Sequence, residues 1–232
     1  MNLRTALSNI HRDPQWWRRV LLGGTLALTV LGIPWTSGLV VESLDNGRKG
    51  YPTPLPPPGD WATRYLIGFF ALIIDMVFFV LPLLLGGLVF GCLLLGSTVF
   101  ANGAGLGVIG WLATALVGLY LLTMFALGVA PIGRLLYSEE GRPEAAMSAD
   151  TLRAALHPDT RRLFGQARLL SLPAYLPALA LGVALWQALG SNIPGATPLA
   201  LLLLWLALCA LVYAHLVVAQ LYAAAARAAL ER

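Results

Sequence analysis

Two tracts without a charged side chain fix what this sequence can become. No Asp, Glu, Lys or Arg occurs in residues 76–133 or in residues 169–226, 58 residues each. As continuous helix, either tract would be roughly 87 Å long at ~1.5 Å of rise per residue, whereas the hydrocarbon core of a bilayer is ~30 Å thick. Each tract must therefore double back at least once, and each reads as a helical hairpin in lipid. Composition agrees: 58% of the 232 residues are hydrophobic and 11% are charged, where a soluble domain carries about 25% charged residues.

The expected fold is all-α, a polytopic transmembrane bundle of about five hydrophobic helices in a single integral membrane domain, residues 1–232. Residues 1–19 form an interfacial segment in which Asp13-Pro14 starts a helix. Trp16 and Trp17 sit at the headgroups there, with Arg18 and Arg19 as anchors. Residues 20–41 make a first hydrophobic helix broken near Pro34, because proline removes a backbone donor and crowds the preceding turn. The run lacks a small-x-small cleavage site near its end and is expected to stay in the protein. Residues 42–64 form a connector, stiff and extended over the prolines of 52–58, with Trp61 and Tyr65 as the next interface anchors. A helical hairpin follows over 65–133, turning at the glycine-rich 102–107. The polar segment 134–168 ends in an interfacial amphipathic helix. A second hairpin spans 169–226, turning over 190–198, and residues 227–232 are a tail.

Arginine placement orients this chain. Six arginines lie in residues 134–168 and two in the tail, against none in either hairpin turn, so the polar segment and the C-terminus are expected in the cytoplasm of a cell-membrane protein. The connector belongs on that side too. A single crossing by residues 20–41 would then leave four N-terminal arginines outside, and the parity fails to close. Three solutions are open: a re-entrant hairpin broken at Pro34, an N-terminus outside, or two short spans within 65–101 meeting near Gly86-Gly87. The 14 arginines and single lysine flank apolar runs, which fits a membrane and speaks against nucleic acid.

Asp75 is the one acid that interrupts residues 65–101. It lies ten residues past Tyr65, ~15 Å along a helix, close to the bilayer midplane. A central Asp costs about 2.5–3.5 kcal/mol to insert, so it should face the bundle interior or water. Its role is either that of a titrating group or that of a hydrogen-bonded structural one. His215 is the expected partner on the last span; Gln220, five residues on, points elsewhere on the helix. Gly87 and Gly91 have the small-xxx-small spacing that lets helices approach, and are read as a packing face within the chain or, failing that, for self-association. Gly103, Gly105 and Gly107 are read as turn glycines. Arg161, Arg162 and Arg168 could hold anionic headgroups.

Cys92 and Cys209 lie in apolar runs and read as small hydrophobes. The three histidines, His11, His157 and His215, are too dispersed for a zinc site. Neither HExxH, GxSxG nor GxxxxGK is present. No enzyme, cofactor or metal is expected.

Three stretches resemble a known family. The first holds Arg48-Lys49-Gly50, Leu55-Pro56 and Asp60-Trp61, with Gly68 seven residues beyond the tryptophan. The second holds Leu136-Tyr137, Gly141 and Ala145-Ala146-Met147. The third holds Ala214-His215-Leu216 and Gln220-Leu221-Tyr222. They resemble the membrane-protein family catalogued as domain of unknown function 4013, although the extra prolines at Pro56, Pro57 and Pro58 depart from its usual spacing. The resemblance implies a multi-pass membrane protein and assigns no catalytic residue. The functions left standing are an accessory or scaffold subunit packing against other membrane subunits or itself, a small transporter or channel built on Asp75, and an anionic-lipid-interacting protein.

Overall fold

Helix follows helix along the chain, and helix is the sole regular structure among the residues that the computed structural model describes, 2–57, 59–99, 104–190 and 196–230. The order is α1 (Leu3–His11), α2 (Trp16–Ala27), a 3-10 turn (Val30–Gly32), α3 (Ile33–Arg48) and α4 (Trp61–Asp75), which passes through a π turn (Met76–Val80) into α5 (Leu81–Val99). Then come α6 (Ala104–Leu127), α7 (Val129–Glu140), α8 (Pro143–Ala146), α9 (Ala149–Leu156), α10 (Pro158–Ser171), a 3-10 turn (Leu172–Tyr175), α11 (Leu176–Leu189) and α12 (Ala196–Leu230). The expected turns at 102–107 and 190–198 fall partly outside the described residues, and so does Gly103.

Among the described residues, four helical runs are long and apolar enough to cross a membrane: Trp61–Cys92, Val108–Phe125, Pro158–Leu189 and Thr197–Ala229. They form the two hairpins, α5 against α6, where Gly86 meets Val117, and α11 against α12. Their outer faces are bare. Trp111 is 74% and Trp186 80% exposed, and fully burying a large apolar side chain is worth ~1.5–3 kcal/mol, so faces of this kind are stable against lipid. The chain is a multi-pass membrane protein with an all-α fold.

The run expected as a first helix over residues 20–41 is divided between two shorter helices, α2 and α3. α2 stops at Ala27; the Thr29 hydroxyl donates to Leu26 O (2.9 Å) and accepts from Gly32 N (3.1 Å), closing the 3-10 turn. Pro34 falls in the first turn of α3, where its missing N–H is not needed. Contacts with α12 give the direction. Trp16 lies against Tyr213 (rings 5.4 Å apart) and Thr25 accepts from Trp205 (3.0 Å), so α2 runs antiparallel to α12. Gln220 donates to Ser43 O (3.0 Å) and Gly47 lies beside Ala223, so α3 runs back parallel to it. Residues 16–48 thus form a helical hairpin whose two ends meet the C-terminal half of α12. Within 61–99 the helix is continuous, which removes the alternative of two short spans meeting near Gly86-Gly87.

Small residues seat this hairpin. A Cβ at Gly24 would lie 2.9 Å from the backbone N and Cα of Cys209. At the crossing of α3 and α4, a Cβ on Gly38 would overlap the Arg64 carbonyl and one on Gly68 the Pro34 carbonyl. The connector is shorter than the sequence suggests, since α3 continues to Arg48. Beyond it the prolines are pinned down: Asn46 Nδ2 donates to Pro54 O (3.1 Å) and Arg64 Nη2 to Pro57 O (2.6 Å). Asp60 takes the left-handed conformation (φ 55°) and caps α4 by accepting from Thr63 N (3.3 Å), a geometry that Asp tolerates better than most residues.

A charged cavity where the polar segment meets the spans

Asp75 owes its surroundings to the proline seven residues on. Pro82 has no N–H to return to Phe78, and its ring crowds the turn before it. The ladder widens there, so that Leu81 N–H bonds Met76 O five residues back. This π turn begins directly after Asp75 and changes which residues of α5 share a face with α4. The carboxylate faces α7, where Arg134 Nη2 donates to Asp75 Oδ2 in a short ion pair. α7 itself is re-aimed by Gly128 (φ 67°), which separates it from α6, a dihedral that glycine adopts without cost.

From the second hairpin come Arg168, Tyr175, His215 and Tyr222. α10 buries Leu163, Phe164, Ala167 and Ser171. Arg168 follows that face inward: its Nε donates to Tyr222 Oη (2.9 Å), and its guanidinium carbon sits 3.7 Å from the Phe125 ring centre, within cation–π range. His215 Nδ1 donates to Leu211 O (2.8 Å), which fixes the tautomer, and its ring stands edge-on to Tyr175 (5.4 Å, 86°).

Asp75, Arg134, Arg168, Tyr175, His215 and Tyr222 line one cavity of about 630 Å³. Two guanidinium groups face one carboxylate, which leaves a formal excess of one positive charge if His215 is neutral. Three buried polar atoms of the lining find no hydrogen-bond partner among the described residues: Asp75 Oδ1, Arg134 Nε and Arg168 Nη1. Unmet polar atoms at this density are costly in a dry interior.

Asp75 and His215 thus border the same space, as candidate partners should, yet the ion pair of Asp75 is made with Arg134 and the ring nitrogen Nδ1 of His215 serves its own helix. Arg134 opens the polar segment in the sequence, and nothing but its place next to the charge-free tract marks it for this role. Arg161 and Arg162 are exposed, while Arg168 turns away from them into the cavity, so the three arginines do not form one surface. Gly87 and Gly91 have open space around them among the described residues. The reading of these two as a packing face within the chain is corrected to Gly86, one position earlier, which is the glycine that meets α6. Of the anchors, Trp17 (46%), Trp61 (49%) and Tyr65 (36%) are exposed. Arg18 stacks over Trp17 (5.2 Å) and Arg19 pairs with Asp13 (2.8 Å). Trp16 packs against both His11 (4.8 Å) and Tyr213. No group of three or more metal-ligating side chains occurs among the described residues.

Several of the residues that carry the family resemblance make packing contacts in the structure, while Gly50, Asp60, Trp61 and Gly141 among them are exposed. Gly68 makes the α3–α4 crossing, Tyr137 and Ala146 are buried, Gly141 ends α7 at φ 67°, and Gln220 bonds Ser43. No curated protein and no solved structure matches the chain. The family described as Protein of unknown function (DUF4013) matches residues 21–165, which run from the N-terminal helical hairpin through the first membrane hairpin into the amphipathic helix, and the chain belongs to that family.

Proposed function

We propose that the chain is a non-enzymatic accessory or scaffold subunit of a membrane assembly, with its polar segments and both ends in the cytoplasm. One observation carries this reading: Asp75 is held by Arg134, a cation that does not deprotonate in proteins. That pairing gives the carboxylate a structural task, fastening the helix of the first hairpin to α7. The bare apolar faces of α6 and α11 are suited to lipid or to partner helices. With the N-terminal hairpin taken as re-entrant, four spans put every polar segment on one side, in keeping with the arginine-based orientation.

Transport is the second reading, favoured by the shared cavity of Asp75 and His215. Proteoliposomes separate the two. The scaffold reading expects no proton flux from the wild type and a stoichiometric partner, another subunit or a second copy, after purification in mild detergent. Proton uptake lost in Asp75→Asn with the fold intact would establish transport instead. A partnerless monomer would leave the scaffold reading without support.

A further inference from the structure

The cavity beside Asp75 has a charged lining and shares apolar wall residues with a neighbouring groove. Phe79, Val80 and Phe125 line the cavity, and the same three residues, with Leu83, Leu121 and Leu122, line a groove of about 410 Å³ between α5 and α6. The opening is toward the lipid-facing surface, since Val80 is 44% and Leu172 54% exposed. Such a space suits an amphiphile. Free phosphate would leave the groove wet, and a fatty chain alone would leave two guanidinium N–H groups unmet.

We propose that this cavity binds a monoanionic glycerophospholipid, with its phosphate on Arg134 and Arg168 and one acyl chain in the α5–α6 groove. The unmet atoms set the headgroup. Arg134 Nε and Arg168 Nη1 can only donate, and phosphate oxygens accept from guanidinium with the strength of charge-assisted bonds. Asp75 Oδ1 can only accept while ionised, so the headgroup also needs a donor near its phosphate. A hydroxyl meets that need and keeps the ligand's negative charge, which offsets the excess positive charge of the lining. An ammonium would also donate, but its own charge would cancel the phosphate and leave that excess uncompensated. The exposed Arg161 and Arg162 are not part of this site.

The test uses the full chain in a neutral maltoside, with native mass spectrometry and thermal unfolding read in parallel. Dioleoylphosphatidylglycerol should be retained at one molecule per chain, should raise the melting temperature, and should be preferred about tenfold or more over dioleoylphosphatidylcholine. Inorganic phosphate and glycerol 3-phosphate should produce neither effect, which separates a lipid from a soluble anion. Arg168→Gln should weaken retention about tenfold, and the double variant Arg161→Gln/Arg162→Gln should not. Because Arg168→Gln also breaks the bond to Tyr222, Val80→Trp provides an independent arm: it narrows the apolar space without removing a polar side chain and should likewise lose the lipid. Equal retention of the two lipids, binding of free phosphate, or loss with Arg161→Gln/Arg162→Gln while Arg168→Gln and Val80→Trp bind normally would each overturn the proposal.

Discussion

Asp75 and Arg134 stand 59 positions apart and are joined by an ion pair whose side chains are 25% and 18% exposed. Removing one partner of a fully buried pair costs ~3–5 kcal/mol, because the other is left charged and dry. With this residual exposure, Asp75→Asn is expected to lose about 1–3 kcal/mol of stability. Adding Arg134→Gln should return at least half of that, a coupling that a double-mutant cycle of denaturation in neutral detergent reads directly. Glu42 tests burial in the opposite sense. Burial pushes its carboxyl above the ordinary glutamate range, outweighing the lowering by Arg64, whose Nε donates to it at 2.9 Å. The folded state therefore holds a proton that the unfolded state has released, in the window just above the ordinary glutamate pKa of about 4.3. Stability should fall as pH rises through that window. Melting curves of Glu42→Gln should lack this slope; an unchanged slope would assign the pH dependence to other groups.

Glycine positions show how far helix patterns can be read without a structure. The spacing of Gly87 and Gly91 is right for close packing, yet Gly86 is the residue that faces Val117. One residue is about 100° of rotation on a helix, and the π turn over Met76–Val80 alters the register between α4 and α5, so spacing alone leaves the facing residue undetermined. The tightest crossing involves Gly38 and Gly68, 30 positions apart on different helices, a pairing that no single-helix pattern contains. Gly68→Ala should clash with the Pro34 carbonyl, which is backbone and cannot swing away. Overpacking costs ~1–3 kcal/mol, and a loss at the upper end is expected in detergent unfolding. Gly87→Ala and Gly91→Ala should be neutral or slightly stabilising, because alanine is the better helix former by ~1 kcal/mol. Should all three behave alike, the crossing would not depend on backbone contact.

The two charge-free tracts were enough to place both membrane hairpins, because a bilayer leaves a long apolar helix no option but to turn back. The N-terminal run was harder. Its 22 residues could cross once by length, and only its packing along α12 reveals that it reverses: α2 descends from Tyr213 to Trp205, and α3 returns to Gln220 and Ala223. Taken as re-entrant, the reversal closes the parity that arginine counts leave open, since Pro34 marks a break without saying which way the chain leaves it. Four crossings with a re-entrant start require Asn9, Tyr51 and Glu144 to share one side of the membrane and Gly190 to occupy the other. Single cysteines at these positions, in a chain whose Cys92 and Cys209 have been replaced, should divide accordingly. In intact cells an impermeant maleimide should label Gly190→Cys and spare Asn9→Cys, Tyr51→Cys and Glu144→Cys, and permeabilisation should expose all four. Labelling of Asn9→Cys in intact cells, with Tyr51→Cys still protected, would mean that residues 16–48 cross the bilayer, and the re-entrant hairpin would have to be given up while the two long hairpins stood.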